Sequence, residues 1–241
     1  TPPPTTEATT TTTVAPAPLA PAISWTRLPN QPAFDDAVIG GWSATVVEGG
    51  PGLMAVGMAW SETGDQSAAM FVSVDGETWE LIDRPFVDAG QFGILWDVAA
   101  GPDGTIVAVG ADNTDAGVWV SSDGETWQRL ESDVFGAGTA DPGDAIGQMG
   151  TQWMSDVVTN GDRIIAVGYE DYAAAVWTSV DGYTWERIVD ADLPPGTTDS
   201  YMDAVATYEG GFIAVGRHRS DAAVWLSPDG LDWTQVVDED V

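Results

Sequence analysis

Ser73-Val-Asp-Gly-Glu-Thr-Trp79, Ser121-Ser-Asp-Gly-Glu-Thr-Trp127, Ser179-Val-Asp-Gly-Tyr-Thr-Trp185 and Ser227-Pro-Asp-Gly-Leu-Asp-Trp233 are four versions of one phrase. Their starts lie 48, 58 and 48 residues apart. Repeats of that period belong to solenoids, propellers or arrays. Asp-Gly between two strand-like runs is a hairpin signal, because Gly tolerates positive φ and the Asp side chain bonds nearby backbone N–H groups. The Trp that follows opens the return strand, where a large ring can cement adjacent sheets.

Each phrase closes a longer unit. Upstream is an apolar run built on Ala-Val-Gly: Leu53 to Gly57, Ile106 to Gly110, Ile164 to Gly168 and Phe212 to Gly216. After it comes a small-residue strand ending in an aromatic, at Phe71, Trp119, Trp177 and Trp225. Before it come another short strand and a Gly-rich turn, as in Asp97-Val-Ala-Ala100 followed by Gly101-Pro-Asp-Gly104. That makes four strands per unit, A to D from the inside outward, with short joints and no apolar run of helical period. The expected fold is all-β: a β-propeller of four blades of four antiparallel strands. The blades are placed at about 42–83, 94–130, 152–189 and 201–237 of a domain spanning 23–241.

The phrase resembles the Asp-box of the bacterial neuraminidase repeat, the turn of sialidase-like β-propellers. The usual pattern is Ser-x-Asp-x-Gly-x-x-Trp; here Asp and Gly adjoin, so each loop is one residue shorter. The resemblance implies propeller blades, with the boxes on C–D turns away from the face where such enzymes hold their substrate. It implies little about activity, since the box recurs in hydrolases, lectin-like modules and receptors, and fold does not fix function.

The formal net charge is −31, from 38 acidic residues against 7 Arg and no Lys. A basic nucleic-acid-binding patch is excluded. The charge is not a mark of disorder, because 44% of residues are hydrophobic and 12 are Trp. With no Cys there is no disulfide or thiol chemistry, and no apolar run is long enough to span a membrane.

Residues 1–22 are Thr- and Pro-rich and read as an extended stalk, with Thr9, Thr10, Thr11, Thr12 and Thr13 as candidate O-glycosylation sites. Such tracts commonly follow an export or lipoprotein signal, so an extracellular or cell-surface setting is expected. Ser24, Trp25, Thr26, Arg27 and Leu28 resemble the D strands, and Trp25 precedes Trp79 by 54 residues, in phase with the array. Nothing upstream supplies its A, B and C strands. The segment is an extra outer strand that closes the ring, ends a larger propeller, or adds to a sheet edge of its own or a neighbouring copy. The last option predicts head-to-tail self-assembly, which gives filaments unless the rotation closes.

The B–C loops share the face that propellers commonly use for function. Trp60, Asp112, Tyr169, Glu170, Tyr172, Arg217 and Arg219 stand there as candidate ligand groups for surface glycans. The resemblance to sialidases implies a need for three Arg converging from different blades. Arg27, Arg129 and Arg187 instead share one repeated outer-strand position and read as structural, while Arg217 and Arg219 come from one loop. Asp97, Asp156 and Asp203 recur near the start of the A strands and are candidate Ca²⁺ ligands at the channel mouth; the competing reading is that each caps local backbone amides. His218 is the only His and has no Cys or second His beside it, which argues against zinc and against a nucleophilic triad. The sequence therefore predicts a non-enzymatic surface module for assembly and adhesion, with a carbohydrate-binding or glycoside-processing propeller as the alternative.

Overall fold

In the computed structural model, described for residues 26–35, 47–49, 52–60, 66–82, 93–112, 115–136, 152–189, 193 and 199–236, four antiparallel sheets follow one another along the chain. Blade one is β1 (Val47–Gly49), β2 (Gly52–Trp60), β3 (Gln66–Ser73) and β4 (Glu80–Leu81). Blade two is β5 (Gly93–Ala100), β6 (Ile106–Asp112), β7 (Asp115–Ser121) and β8 (Gln128–Arg129). Blade three is β9 (Gln152–Thr159), β10 (Ile164–Glu170), β11 (Ala173–Ser179) and β12 (Trp185–Ile188). Blade four is β13 (Ser200–Tyr208), β14 (Gly211–His218), β15 (Asp221–Ser227) and β16 (Thr234–Gln235). Within every sheet, consecutive strands pair. The protein is an all-β propeller-type fold whose blades are four-stranded.

The alternation of side chains along each strand gives each blade two apolar faces. We call them leading, toward the preceding blade, and trailing, toward the next. Met54, Val56, Ala68 and Met70 on the trailing face of blade one pack against Leu95, Ile106, Ala108, Trp119 and Trp127 of blade two. Val107, Val109, Val118 and Val120 repeat this against Met154, Ile164, Ala166, Trp177 and Trp185. Ile165, Val167, Ala174 and Val176 repeat it against Met202, Phe212, Ala214, Trp225 and Trp233. The core is thus a series of seams between sheets. Each sealed Val contributes about 1.5–3 kcal/mol by leaving water.

The glycine of Ala-Val-Gly has a steric cause. The A strands of blades two, three and four each carry an irregularity opposite it, between Leu95 and Asp97, Met154 and Asp156, and Met202 and Ala204. A Cβ on Gly110, Gly168 or Gly216 would stand 1.9, 2.1 or 2.1 Å from the carbonyl oxygen of Ile94, Trp153 or Tyr201. Only glycine lets the bulged strand come so close.

Thr26, Arg27 and Leu28 are exposed and form no strand, and Ser24 and Trp25 lie outside the described residues, as do 1–22 with Thr9 to Thr13. The C strand of every blade already pairs with its own D strand, so no open C-strand edge among the described residues remains for a fifth. The segment docks on blade one by side chains instead. Gln31 Oε1 accepts from Trp79 N at 2.8 Å and its Nε2 donates to Glu77 O at 2.5 Å. A single helical turn, α1 (Pro32–Asp35), then brings Ala33 onto Ala55, Phe71, Trp79 and Leu81.

Candidate functional site

The B–C turns and the starts of the A strands lie at one end of the blades. In blade three the turn is Asp171-Tyr172, with φ of 45° and 67°. Two consecutive positive φ values make the tight hairpin that matches strand twist. Asp tolerates this conformation; Tyr there is costlier, and it holds Tyr172 out at 58% exposure. The turn is tied to blade four, since Ser200 N donates to Tyr172 O at 3.3 Å and Ala174 N donates to Ser200 Oγ at 2.9 Å.

Around this turn runs a row of aromatic rings. Trp96, the bulged residue of β5, lies 6.3 Å from Trp153. Trp153 stacks on its cross-strand partner Tyr169, centroids 4.2 Å apart and planes 17° from parallel. Tyr169 meets Tyr172 edge-on at 6.1 Å. Burial raises the Tyr169 phenol above its usual range, so it stays a neutral donor and acceptor at neutral pH. On blade four Arg217 lies over the Tyr201 ring, 4.6 Å from its centroid, and faces Asp199 at 3.8 Å. Arg219 is exposed in the adjoining turn at φ 56°. Trp96, Trp153 and Tyr201 were missed from sequence; the bulge that aims Trp96 is marked by the Gly110 that faces it, but no alternation pattern shows which ring meets which.

The acidic candidates are engaged elsewhere. Glu170 Oε2 pairs with Arg187 Nε at 2.7 Å, and its Oε1 accepts from Gln152 Nε2. Arg187 is almost fully buried and lies over the Trp177 ring, 5.2 Å from its centroid. Asp112 pairs with Arg129 Nε at 2.5 Å, and burial raises its carboxyl despite the opposing pull of that cation. In blades two and three, the outer-strand Arg thus closes the end of the B strand. Trp60 ends β2 opposite Gln66 in the same region of blade one.

The three inner carboxylates do not form a set. Asp97 Oδ2 accepts from Val157 N at 3.0 Å, and Asp156 Oδ2 accepts from Val205 N at 2.7 Å. Each carboxylate clamps the A strand of the following blade. Asp156 is pushed up to about 8, first by burial and then by its hydrogen bond to and repulsion from Asp97. Asp203 is one residue out of step: Ala204 pairs as Asp97 and Asp156 do, and Asp203 falls in the bulge with Trp96 and Ser155. Among the described residues no cluster of three or more His, Cys, Asp or Glu side chains could hold a metal ion.

The Ser-x-Asp-Gly turns lie at the other end of the blades and are built alike. Ser121 Oγ accepts from Gly124 N at 2.8 Å, Asp123 Oδ1 accepts from Glu125 N at 2.9 Å and Thr126 N at 2.7 Å, and Trp127 Nε1 donates to Gly124 O at 3.2 Å. The same bonds recur around Asp75, Asp181 and Asp229. The backbone donors hold the carboxyl of Asp123 down at about 2 and lower the other three. Gly124 sits at φ 76°, where a side chain would be strained.

No family model and no curated protein matches the sequence. Solved structures are similar to this chain. The α-L-arabinofuranosidase from Fusarium graminearum is 19% identical and covers 88% of this chain and 70% of its own, with a TM-score of 0.53. A thermostable family-43 glycoside hydrolase is 13% identical over 82% of this chain and 75% of its own, at 0.46. A Hadza microbial sialidase is 13% identical over 79% and 36%, at 0.44. At 19% identity the likeness to the arabinofuranosidase is one of fold. Among the described residues no helix is long and apolar enough to cross a membrane.

Proposed function

We propose that this protein is a non-enzymatic, extracellular adhesion module that binds carbohydrate through the aromatic row on its B–C face. The observation that carries the reading is the continuity of Trp96, Trp153, Tyr169 and Tyr172, with Tyr201 and Arg217 beside them. Flat rings with a few polar neighbours suit the apolar faces and hydroxyls of sugars. Glycoside processing is disfavoured because Glu170 and Asp112, the carboxylates nearest a catalytic role, are committed to Arg187 and Arg129. The Thr/Pro-rich residues 1–22 support an exported, stalked setting. The four hydrogen-bonded turns support placing the chain with the Asp-box propellers.

The test is binding of the full chain to an immobilised panel of neutral and acidic glycans, with Tyr172→Ala and Arg217→Ala beside it. Both variants change exposed side chains and are expected to fold. Selective retention of glycans that falls at least tenfold in Tyr172→Ala supports the proposal. No retention of any glycan, or retention unchanged in both variants, overturns it.

A further inference from the structure

The rings of the B–C face form a platform with fixed ends. Trp96 stands at one end, carried by the bulge of β5, and Tyr172 at the other, carried by a turn with two positive φ values. Between them Trp153 and Tyr169 stack on each other and stiffen the middle. Trp96, Trp153 and Tyr169 are half-buried and Tyr172 is exposed, so the whole row meets solvent. Both ends are anchored. Trp96 packs with Trp153 on Met58, Ile94 and Ala111, and the carbonyl of Tyr172 accepts from Ser200 N of blade four.

A platform of this form suits a chain of sugars better than a single one. One sugar ring covers one aromatic ring, so a sugar on Trp96 leaves Tyr172 bare, while a chain lies on both. Because the ends are set before anything binds, a chain held at one end meets the other at high effective concentration. Affinity then grows with chain length until both ends are covered, and stays level beyond that.

The charges around the row select the kind of chain. Burial first, and then neighbouring charges that include those of Asp171 and Asp199, raise the Tyr169 phenol. The same two carboxylates would repel an anionic sugar lying there. Arg217 is already engaged: it lies over Tyr201, faces Asp199 at 3.8 Å, and opposes the rise that partial burial gives the Asp203 carboxyl. Arg219 adjoins the same Asp199, its N–H donating to Asp199 O at 2.6 Å. Beyond the row the formal charge of −31 repels polyanions. That charge would draw a cationic chain to the whole surface rather than to the row, and salt screens the attraction.

We propose, on the footing of the carbohydrate reading above, that the row binds an uncharged polysaccharide along its length, with Trp96 and Tyr172 under the two ends of the bound stretch. The test is titration calorimetry of the full chain, at low and high salt. The neutral probes are oligomers of glucose, xylose, mannose, galactose and arabinose, each from the monosaccharide to the hexasaccharide. Polygalacturonate and polyglucosamine are the anionic and cationic chains. Expected is a neutral series whose hexasaccharide binds at least tenfold more tightly than its monosaccharide, equally at both salt levels. Tyr172→Ala should weaken the hexasaccharide at least tenfold and flatten the dependence on length. Tyr172→Phe, which keeps the ring, should leave that dependence in place. A monosaccharide that binds as tightly as its hexasaccharide overturns the chain but leaves the carbohydrate reading standing. Preference for polygalacturonate or polyglucosamine overturns the uncharged ligand and likewise spares that reading. If no probe binds, the carbohydrate reading itself falls, and the chain with it.

Discussion

Asp156 reaches across the seam from blade three to blade four, its Oδ2 accepting the backbone N–H of Val205 at 2.7 Å, 49 residues along the chain. Asp97 does the same from blade two to blade three through Val157. Burial, together with the neighbouring Asp97, raises the Asp156 carboxyl, which disfavours its charged form.

This sets a pH dependence. The folded pKa of Asp156 is raised to about 8 from an ordinary 3.8, so the folded state holds the proton more tightly than the unfolded chain. Its contribution to stability is complete below about pH 3.8 and is lost as pH rises through about 8. Urea midpoints should therefore fall between pH 6 and pH 9. Asp156→Asn keeps an acceptor for Val205 while removing the titration. It should flatten that fall and be more stable than the wild type at pH 9. An unchanged slope in the variant would show that the fall belongs to other groups.

Gly168→Ala tests the reason for Ala-Val-Gly. The added Cβ would meet Trp153 O at 2.1 Å, against strand backbone that has little room to yield. Relief means opening the bulge that sets Trp153 against Tyr169. A loss of about 2–3 kcal/mol is expected from overpacking of this kind. Near-ultraviolet circular dichroism should show the stacked rings disturbed in whatever fraction folds.

The ion pair of blade three should matter more than that of blade two. Arg187 and Glu170 are 10% and 18% exposed at the side chain, whereas Arg129 is 25% exposed and also reaches the solvated Glu131. Removing one partner strands a buried charge, which costs about 3 kcal/mol or more in well-buried pairs. Glu170→Gln should approach that figure, and Asp112→Asn should cost clearly less. Adding Arg187→Met to Glu170→Gln should recover part of the loss, because no unpaired cation then remains. Denaturant unfolding of the three variants beside the wild type measures all of this.

The repeat made the blades legible because strand period, turn chemistry and repeat phase agree in all four copies. The Asp203 register was also present in the chain: Leu95-Trp-Asp97, Met154-Ser-Asp156 and Met202-Asp203-Ala204 align with Asp203 one place early. A lone carboxylate near a strand start hid that offset. The engagement of Glu170 by Arg187 was half visible, since Arg129 and Arg187 share a repeated position, but the partner depends on the register between B, C and D strands. The outer-strand reading of Ser24 to Leu28 rests on sequence likeness, and likeness does not supply a partner edge: Thr26 to Leu28 form no strand, and Ser24 and Trp25 lie outside the described residues.

Acid should loosen the Ser-x-Asp-Gly turns in a window set by their carboxylates. Asp123 is held down at about 2 chiefly by the backbone donors of Thr126 and Glu125, against 3.8 when free. Its support for the turn is therefore present above about pH 3.8 and is lost as pH falls through about 2. Asp75, Asp181 and Asp229 shift the same way, so the four turns should weaken together. Each turn orients a Trp through an indole N–H bond to the turn glycine, so losing the turn loosens the ring that closes the seam. Trp fluorescence should report a red shift on titration from pH 4 to pH 2. Asp123→Asn retains an acceptor but does not titrate, so its share of that transition should vanish. Asp123→Ala removes the acceptor and should lower the Tm by a few degrees even at pH 7. If both variants titrate as the wild type does, the acid transition belongs to other carboxylates.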